Sequence, residues 1–194
     1  MTVSSLSRPI KKALSVEGQI SALQCEVLFE LASQVSSGCI VEIGSFRGRS
    51  AVALGLGSLA NGRAPVYAID PHEPFTGILG ATFGPQDRTA FFKNMLRTGV
   101  SEVVRLINLP AETVSKGWDK PIALLWIDGD HRYEAVKKDF ECWEPFVVAG
   151  GMIAFDDSIN RSIGPWRVIE EAVSSNRFRT VQQAGQMTVL EKRR

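Results

Sequence analysis

No sign of charge dominates this sequence: 22 lysines and arginines stand against 21 aspartates and glutamates, a formal net charge of +1. A chain so balanced has no strong field to favour nucleic acid or an anionic membrane. Cysteine is scarce and scattered. Cys25, Cys39 and Cys142 form no C-x-x-C pair that would suggest zinc or redox work. Cys39 begins an apolar run and Cys142 sits in a helical pattern, so both read as small core residues. The opening M-T-V-S-S-L-S-R-P-I-K-K lacks the long apolar core of a signal peptide, and no run approaches membrane-spanning length. The cytoplasm is the expected compartment, with neither nucleic acid nor membrane as partner. Internal repeats and low-complexity segments are also missing. What remains is 194 residues of ordinary apolar content, 44%, enough to bury the core of one domain.

Residues 1–16 read as a loosely held arm before a single domain over residues 17–194. Apolar Ile20, Leu23, Val27, Leu28 and Leu31 recur at helical spacing, which predicts an amphipathic helix over Glu17–Val35, stopped by Ser36-Ser37-Gly38. Thereafter apolar runs alternate with helical patterns. C-I-V, V-Y-A-I, V-V-R-L-I, I-A-L-L-W-I and M-I-A-F are the runs. The helical stretches are 47–59, 88–97, 111–116, 133–146 and 163–173. Continuous apolar runs separated by helices imply parallel strands buried on both faces. The end differs: R-F-R-T-V-Q-Q and Q-M-T-V-L-E, joined by Ala184-Gly185, predict an antiparallel hairpin. The expected fold is α/β, a Rossmann-like, mostly parallel sheet flanked by helices and closed by a C-terminal hairpin.

Four of the apolar runs end in acids: Glu42, Asp70, Asp128 and the pair Asp156-Asp157. In an open parallel sheet the carboxyl ends share one edge, where ligands bind. Acids at four such ends imply a ligand rich in donors or positive charge. The first loop, E-I-G-S-F-R-G-R-S, carries Gly44 and Gly48, which suit a strand-to-helix turn and a close backbone approach to a ligand. It is not the G-x-G-x-x-G of nicotinamide-dependent dehydrogenases, and Glu42 would repel a pyrophosphate. Glu42 instead suits an amine and a sulfonium cation. Asp70, placed 28 residues later, can accept hydrogen bonds from both hydroxyls of a ribose. A nucleoside with a cationic amino-acid arm, S-adenosylmethionine, satisfies both acids.

From about Gly38 to its end the chain resembles the class I S-adenosylmethionine-dependent methyltransferases (the seven-strand methyltransferase fold). Within that class it resembles the small O-methyltransferases related to sugar and macrolide enzymes and, more distantly, to catechol and caffeoyl-CoA enzymes. V-E-I-G-S-F-R-G-R-S is similar to the glycine-rich motif and Y-A-I-D-P to the ribose-binding motif. W-I-D-G-D-H-R-Y and V-V-A-G-G-M-I-A-F-D-D-S look like the motifs of the fourth and fifth strands. The resemblance implies that Glu42, Gly44, Ser45 and Gly48 line the methionine arm and Asp70 the ribose. It also implies that Pro110, Ala111 and Glu112 hold the adenine edge, that Asp128 faces cofactor or substrate, and that the acceptor is a hydroxyl of a small molecule.

In the caffeoyl-CoA type a divalent ion sits on one Asp after the fourth strand and an Asp-Asn pair after the fifth. Here the matching positions are Asp128, Asp156 and Asp157, with Asp in place of Asn. Three carboxylates on adjacent strand ends repel, each pair at ~4 Å costing ~1 to 4 kcal/mol. Magnesium could relieve this with oxygen ligands alone. Protonation of one Asp, or Asp157 turning away, would do so without metal, and the sequence leaves both readings open. His131 occupies the position where catechol relatives hold the lysine proposed to take the hydroxyl proton. A neutral imidazole can do that work; the other reading is a histidine that merely starts the next helix. Asp130 reads as the N-cap of a helix beginning at Arg132.

Two loops are unusually long, P-H-E-P-F-T-G-I-L-G-A-T-F-G-P after Asp70 and S-I-N-R-S-I-G-P-W after Asp157. Both are expected as cofactor and substrate walls. A non-catalytic S-adenosylmethionine-binding module would keep Glu42 and Asp70 but need no base. The arm and first helix offer a surface for a homodimer, a matter the sequence leaves open.

Overall fold

The computed structural model describes residues 6–194. The first five residues of the expected arm therefore lie outside the described residues. The rest of the arm is not loose. Helix α1, Arg8–Leu14, starts with Pro9 in its first turn, and its Ile10 and Ala13 are buried together with Val16. That i, i+3, i+6 apolar spacing docks the helix, and the far end of helix α4 (Pro85–Thr98) ties it down. Lys12 Nζ donates to the Thr98 carbonyl at 3.1 Å, and Arg97 donates to the Ser15 carbonyl and hydroxyl at 3.0 Å each.

Helix α2, Ala22–Ser33, begins five residues later than periodicity suggests. Ser21 is the reason. Its hydroxyl accepts from Gln24 N–H, and Gln24 Oε1 accepts from Ser21 N–H at 2.9 Å, a capping box that fixes the start. Residues 15–21 are left as an irregular segment.

One sheet runs in the order β5-β2-β1-β6-β7-β9-β8. Its strands are β1 Cys39–Ile43, β2 Val66–Ile69, β5 Val104–Ile107, β6 Ile122–Ile127, β7 Val147–Phe155, β8 Phe178–Ala184 and β9 Met187–Lys192. Pairing is parallel from β5 to β7 and antiparallel for β9 against β7 and β8, as the sequence predicts. The hairpin turns one residue later than expected, at Gly185-Gln186, because Ala184 still pairs with Met187 and Gly185 supplies the left-handed backbone (φ 60°). Strand β7 extends upstream of M-I-A-F, since Val147 pairs with Ile122. A short two-stranded sheet, β3 Phe75–Thr76 with β4 Thr82–Phe83, folds inside the first long loop.

Helices cover both faces. Helix α3 (Arg49–Ala60) shares one apolar core with α1, α2 and α4; α6 (Tyr133–Trp143) and α7 (Gly164–Ser174) share the other. A short helix α5, Ala111–Ser115, follows β5. Helix α6 yields to a 3-10 turn over Glu144–Phe146, where Pro145 cannot continue the α-helical ladder. Among the described residues no helix is long and apolar enough to cross a membrane.

The register positions the site. Ile43 is level with Ile69 and Ile127, Ile69 with Ile107, and Ile127 with Phe155. The next residue of each chain forms one row along the carboxyl edge: Gly44, Asp70, Asn108, Asp128 and Asp156. Glu42 is not in that row. Strand β1 runs on to Ile43, so Glu42 lies inside the sheet, opposite Ala68 and Trp126.

Candidate active site

A cavity of about 400 Å³ opens on this edge, and Gly44, Ser45, Asp70, Ala111, Asp128 and His131 all line it. Glu42, Gly48, Asp156 and Asp157 do not. Gly44 has φ +81°, and a Cβ there would drive into the Asp128 carbonyl, 2.7 Å from its carbon. Glycine at 44 is thus required by the contact between the β1 and β6 loops. Gly48, φ +91°, is the left-handed N-cap of α3 and faces Met95 and Phe91 of α4, so its place is structural. Of the five described non-glycine residues with left-handed backbone, three stand at this edge: Phe46 (φ 46°), His72 (φ 48°) and Asp157 (φ 45°). Each lies two or three residues past a strand end, the kind of local strain that collects at functional loops.

Asp70 braces this edge. Its Oδ2 accepts from the backbone N–H of Ser45 and of Phe46, 2.9 Å each, and its Oδ1 from His72 N–H at 2.8 Å. The ring of His72 returns the tie: Nε2 lies 2.7 Å from the Phe46 carbonyl, which can only accept, so this nitrogen carries the hydrogen. Asn108 completes the lock by donating to the carbonyls of Asp70 and Pro71 at 2.8 and 2.7 Å.

Behind the row stands Glu42, with 0% exposure and no aligned hydrogen-bond partner on either oxygen. Burial pushes its carboxyl up to about 8, against a smaller downward pull from the Ser50 hydroxyl and a further rise from Asp70. Asp128, His131 and Asp156 meet, each with a donor atom within 4.8 Å of the others. Asp157, expected in that set, is replaced in it by His131. Its left-handed backbone turns it to the far side of the imidazole, with Oδ2 at 3.9 Å from His131 Nδ1. His131 Nε2 is buried without a hydrogen-bond partner, 3.7 Å from Asp128 Oδ1. Burial holds the Asp128 carboxyl well above the usual carboxylate range, with the Glu42 charge next and a hydrogen bond to Asp156 offsetting part of the rise. Burial likewise pushes Asp156 up to about 8, reinforced by Asp128 and Asp157.

Several residues of this corner escaped sequence reasoning. Gln24, buried on α2, donates from Nε2 to Asp156 Oδ1. Because Ser21 N–H occupies its Oε1, the amide has one orientation and Asp156 Oδ1 must be an acceptor. The S-x-x-Q capping signature is visible in the sequence, but its reach to residue 156 is not. Ser21→Ala is expected to cost about 1 kcal/mol of stability in urea unfolding, the usual worth of an N-cap. Asp139, on the cavity side of α6, is pushed up to about 7 by burial and then by Asp130. Gly18, Gln19, Ile20 and Arg49 line the cavity from the α1–α2 segment and the start of α3.

Two expectations are corrected. Helix α6 begins at Tyr133, not Arg132, and Asp130 is not its cap. Asp130 accepts from the Arg132 backbone N–H at 3.1 Å and from its guanidinium at 2.6 Å, bracing the turn before the helix. Only the first long loop is a wall: Phe75 stacks on Phe83, 5.8 Å between centroids, and Phe46 meets Phe83 edge-on at 5.2 Å. Nothing from S-I-N-R-S-I-G-P-W lines the cavity; its Arg161 lies over the Trp166 ring instead.

A family model for a methyltransferase domain matches residues 41–158, from β1 through the acids after β7. The chain belongs to the methyltransferase-domain family. The matched segment supplies every acid of the site and His131, while Gln24 and the 18–20 segment lie outside it. This methyltransferase-family fold also recurs in solved structures. A protein from Corynebacterium glutamicum superposes with a TM-score of 0.73 at 13% identity, over 99% of this chain and 93% of that one. An O-methyltransferase from Bacillus cereus in complex with S-adenosylhomocysteine gives 0.69 at 16% identity, over 98% and 94%. TomG, the O-methyltransferase of tomaymycin synthesis from Streptomyces achromogenes in complex with S-adenosylmethionine, gives 0.68 at 14%, over 97% and 91%.

Proposed function

We propose that this methyltransferase-family chain moves a methyl group from S-adenosylmethionine to a hydroxyl of a small molecule. One observation carries the reading: His131 lines the same cavity as the acid-rich cofactor edge, with Asp128 and Asp157 on either side of its ring. The B. cereus enzyme and TomG, similar in fold, hold the same cofactor or its product.

The residues present fit the cofactor. Gly44 and Ser45 line the cavity, and the buried oxygens of Glu42 and Ser45 have no hydrogen-bond partner. Gly44 and Ser45 would hold the methionine arm, with Glu42 acting on its positive end from behind and Gly48 shaping the turn. Asp70, which lines the cavity, would take the ribose, and Ala111 the adenine edge. S-adenosylmethionine supplies an electrophilic methyl on a sulfonium. The chain's own task is to align the acceptor and remove its proton. Since His131 Nε2 is enclosed against Asp128, Nδ1 is the nitrogen left to take that proton, and Asp128 and Asp157 would stabilise the imidazolium that forms.

A divalent ion is the second reading, favoured by the close approach of Asp128, Asp156 and His131. An ion there would offset the burial and the mutual repulsion that together raise both carboxyls. An imidazole among the donors departs from the all-oxygen set that suits magnesium. A histidine bound through Nε2 would also no longer serve as the base, so the two roles exclude each other. The test is a thermal shift with S-adenosylhomocysteine, with and without magnesium, followed by methyl transfer to a panel of phenols and sugars read by mass. We expect stabilisation by S-adenosylhomocysteine, and transfer to at least one hydroxyl. NAD binding without S-adenosylhomocysteine binding would overturn the reading, and indifference to both magnesium and chelators would remove the metal.

A further inference from the structure

The acids explain where the positive end of an amino-acid arm would sit, but that arm also carries a carboxylate. Around the cavity, charge is lopsided. Asp70, Glu73, Asp128, Asp130 and Asp139 line it, and the only lysine or arginine among the described lining residues is Arg49. Among the described lining residues, that guanidinium is the fixed cation a carboxylate entering this space would find.

Arg49 is also unusual in how it is held. The neighbouring Arg47 is neutralised twice, by Asp87 at 2.8 Å and by Glu17. Arg49 has no carboxylate partner among the described residues. Its Nε donates to the Val16 carbonyl and its Nη1 to the Ile20 carbonyl, both at 2.8 Å. Neutral acceptors fix the guanidinium in place without consuming its charge, and Nη2 stays uncommitted. The segment it grips is the one whose Gly18, Gln19 and Ile20 line the cavity, and a Cβ at Gly18 would lie 2.7 Å from Arg49 Cβ. In the same cavity wall, Ser45 is buried and its Oγ has no hydrogen-bond partner. A held cation and an unpartnered hydroxyl together make a site for a carboxylate.

We propose that Arg49 binds the carboxylate of the cofactor's methionine arm, while its bonds to Val16 and Ile20 close the 16–20 segment over that arm. The proposal rests on the S-adenosylmethionine reading above. It makes Arg49 the selector for the amino-acid end of the ligand rather than for its nucleoside.

The test compares three ligands by calorimetry: S-adenosylhomocysteine, its carboxamide, and 5′-methylthioadenosine, which lacks the amino-acid arm. In the wild-type chain, turning the carboxylate into the carboxamide is expected to weaken binding at least tenfold. In Arg49→Gln, S-adenosylhomocysteine should weaken by a similar factor, the carboxamide penalty should shrink below twofold, and 5′-methylthioadenosine should bind as before. Equal weakening of all three ligands in Arg49→Gln would reduce Arg49 to a clamp and overturn the proposal. So would a variant that binds all three like the wild type. If Arg49→Gln fails to fold, the wild-type comparison still decides: a carboxamide penalty under twofold overturns the proposal. No wild-type binding of S-adenosylhomocysteine would instead remove the cofactor reading beneath it.

Discussion

His131→Ala is expected to lower kcat by about 10² to 10⁴-fold, the usual worth of a positioned general base, with S-adenosylhomocysteine affinity kept within about twofold. The split follows from geometry. The imidazole sits between Asp128 and Asp157 at 3.7 and 3.9 Å, beyond the loops that the proposed cofactor contacts occupy. Removing it should leave Gly44, Ser45 and Asp70 where they are, since none of their hydrogen bonds pass through it. An effect on kcat under tenfold would end the base assignment. A loss of metal-dependent stabilisation in the variant, alongside the loss of turnover, would move His131 to the ligand role.

Raising the pH from about 5 to 8 is expected to weaken the unliganded fold. Glu42 has an ordinary value of 4.5 and a folded value near 8; Asp156 goes from 3.8 to about 8. Between these limits the unfolded chain has released protons that the folded chain still holds. Unfolding therefore becomes more favourable as pH rises, and the loss is complete only above the folded values. Glu42→Gln keeps the shape and removes the titration. It should unfold at higher urea than the wild type at pH 8, by on the order of a few kcal/mol, and the gap should close toward pH 5. Urea curves at the two pH values measure this. Parallel pH dependence in variant and wild type would show that Glu42 is not held protonated.

The parallel strands, the closing hairpin and the row of acids were legible because each leaves a local trace. An apolar run marks a buried parallel strand, and register then brings its last residue level with its neighbours. Asp70 and Asp128 could be placed from that alone. Glu42 was legible as an acid but not as one sunk a residue inside the sheet, since that depends on where β1 stops relative to β2 and β6. The swap of His131 for Asp157 was not readable either. It turns on one left-handed residue after β7, and aspartate gives no unambiguous sign of adopting it. Gln24 and Arg49 were missed for a different reason: their partners lie 132 residues away in one case and 29 to 33 in the other, and no periodicity encodes such contacts. By contrast, Val16 packing was a local signal that a reading of the arm as loose overlooked, and the Ser21 capping box one that a helix start at Glu17 overlooked.

The bond from Gln24 to Asp156 bears on how this domain could be moved between proteins. Every acid of the corner lies within residues 41–158, yet the group that fixes the orientation of one of them comes from α2, upstream of that segment. The grip of Arg49 on Val16 and Ile20 crosses the same border from the other side. A chimaera that grafts the 41–158 core onto a foreign N-terminal helix would inherit the parallel strands and their charges but not the β8–β9 hairpin, and the acid corner and the 18–20 wall of the cavity would both lose their anchor. The natural cassette for transplantation is therefore longer than the family core, reaching back at least to Val16 and forward through β9.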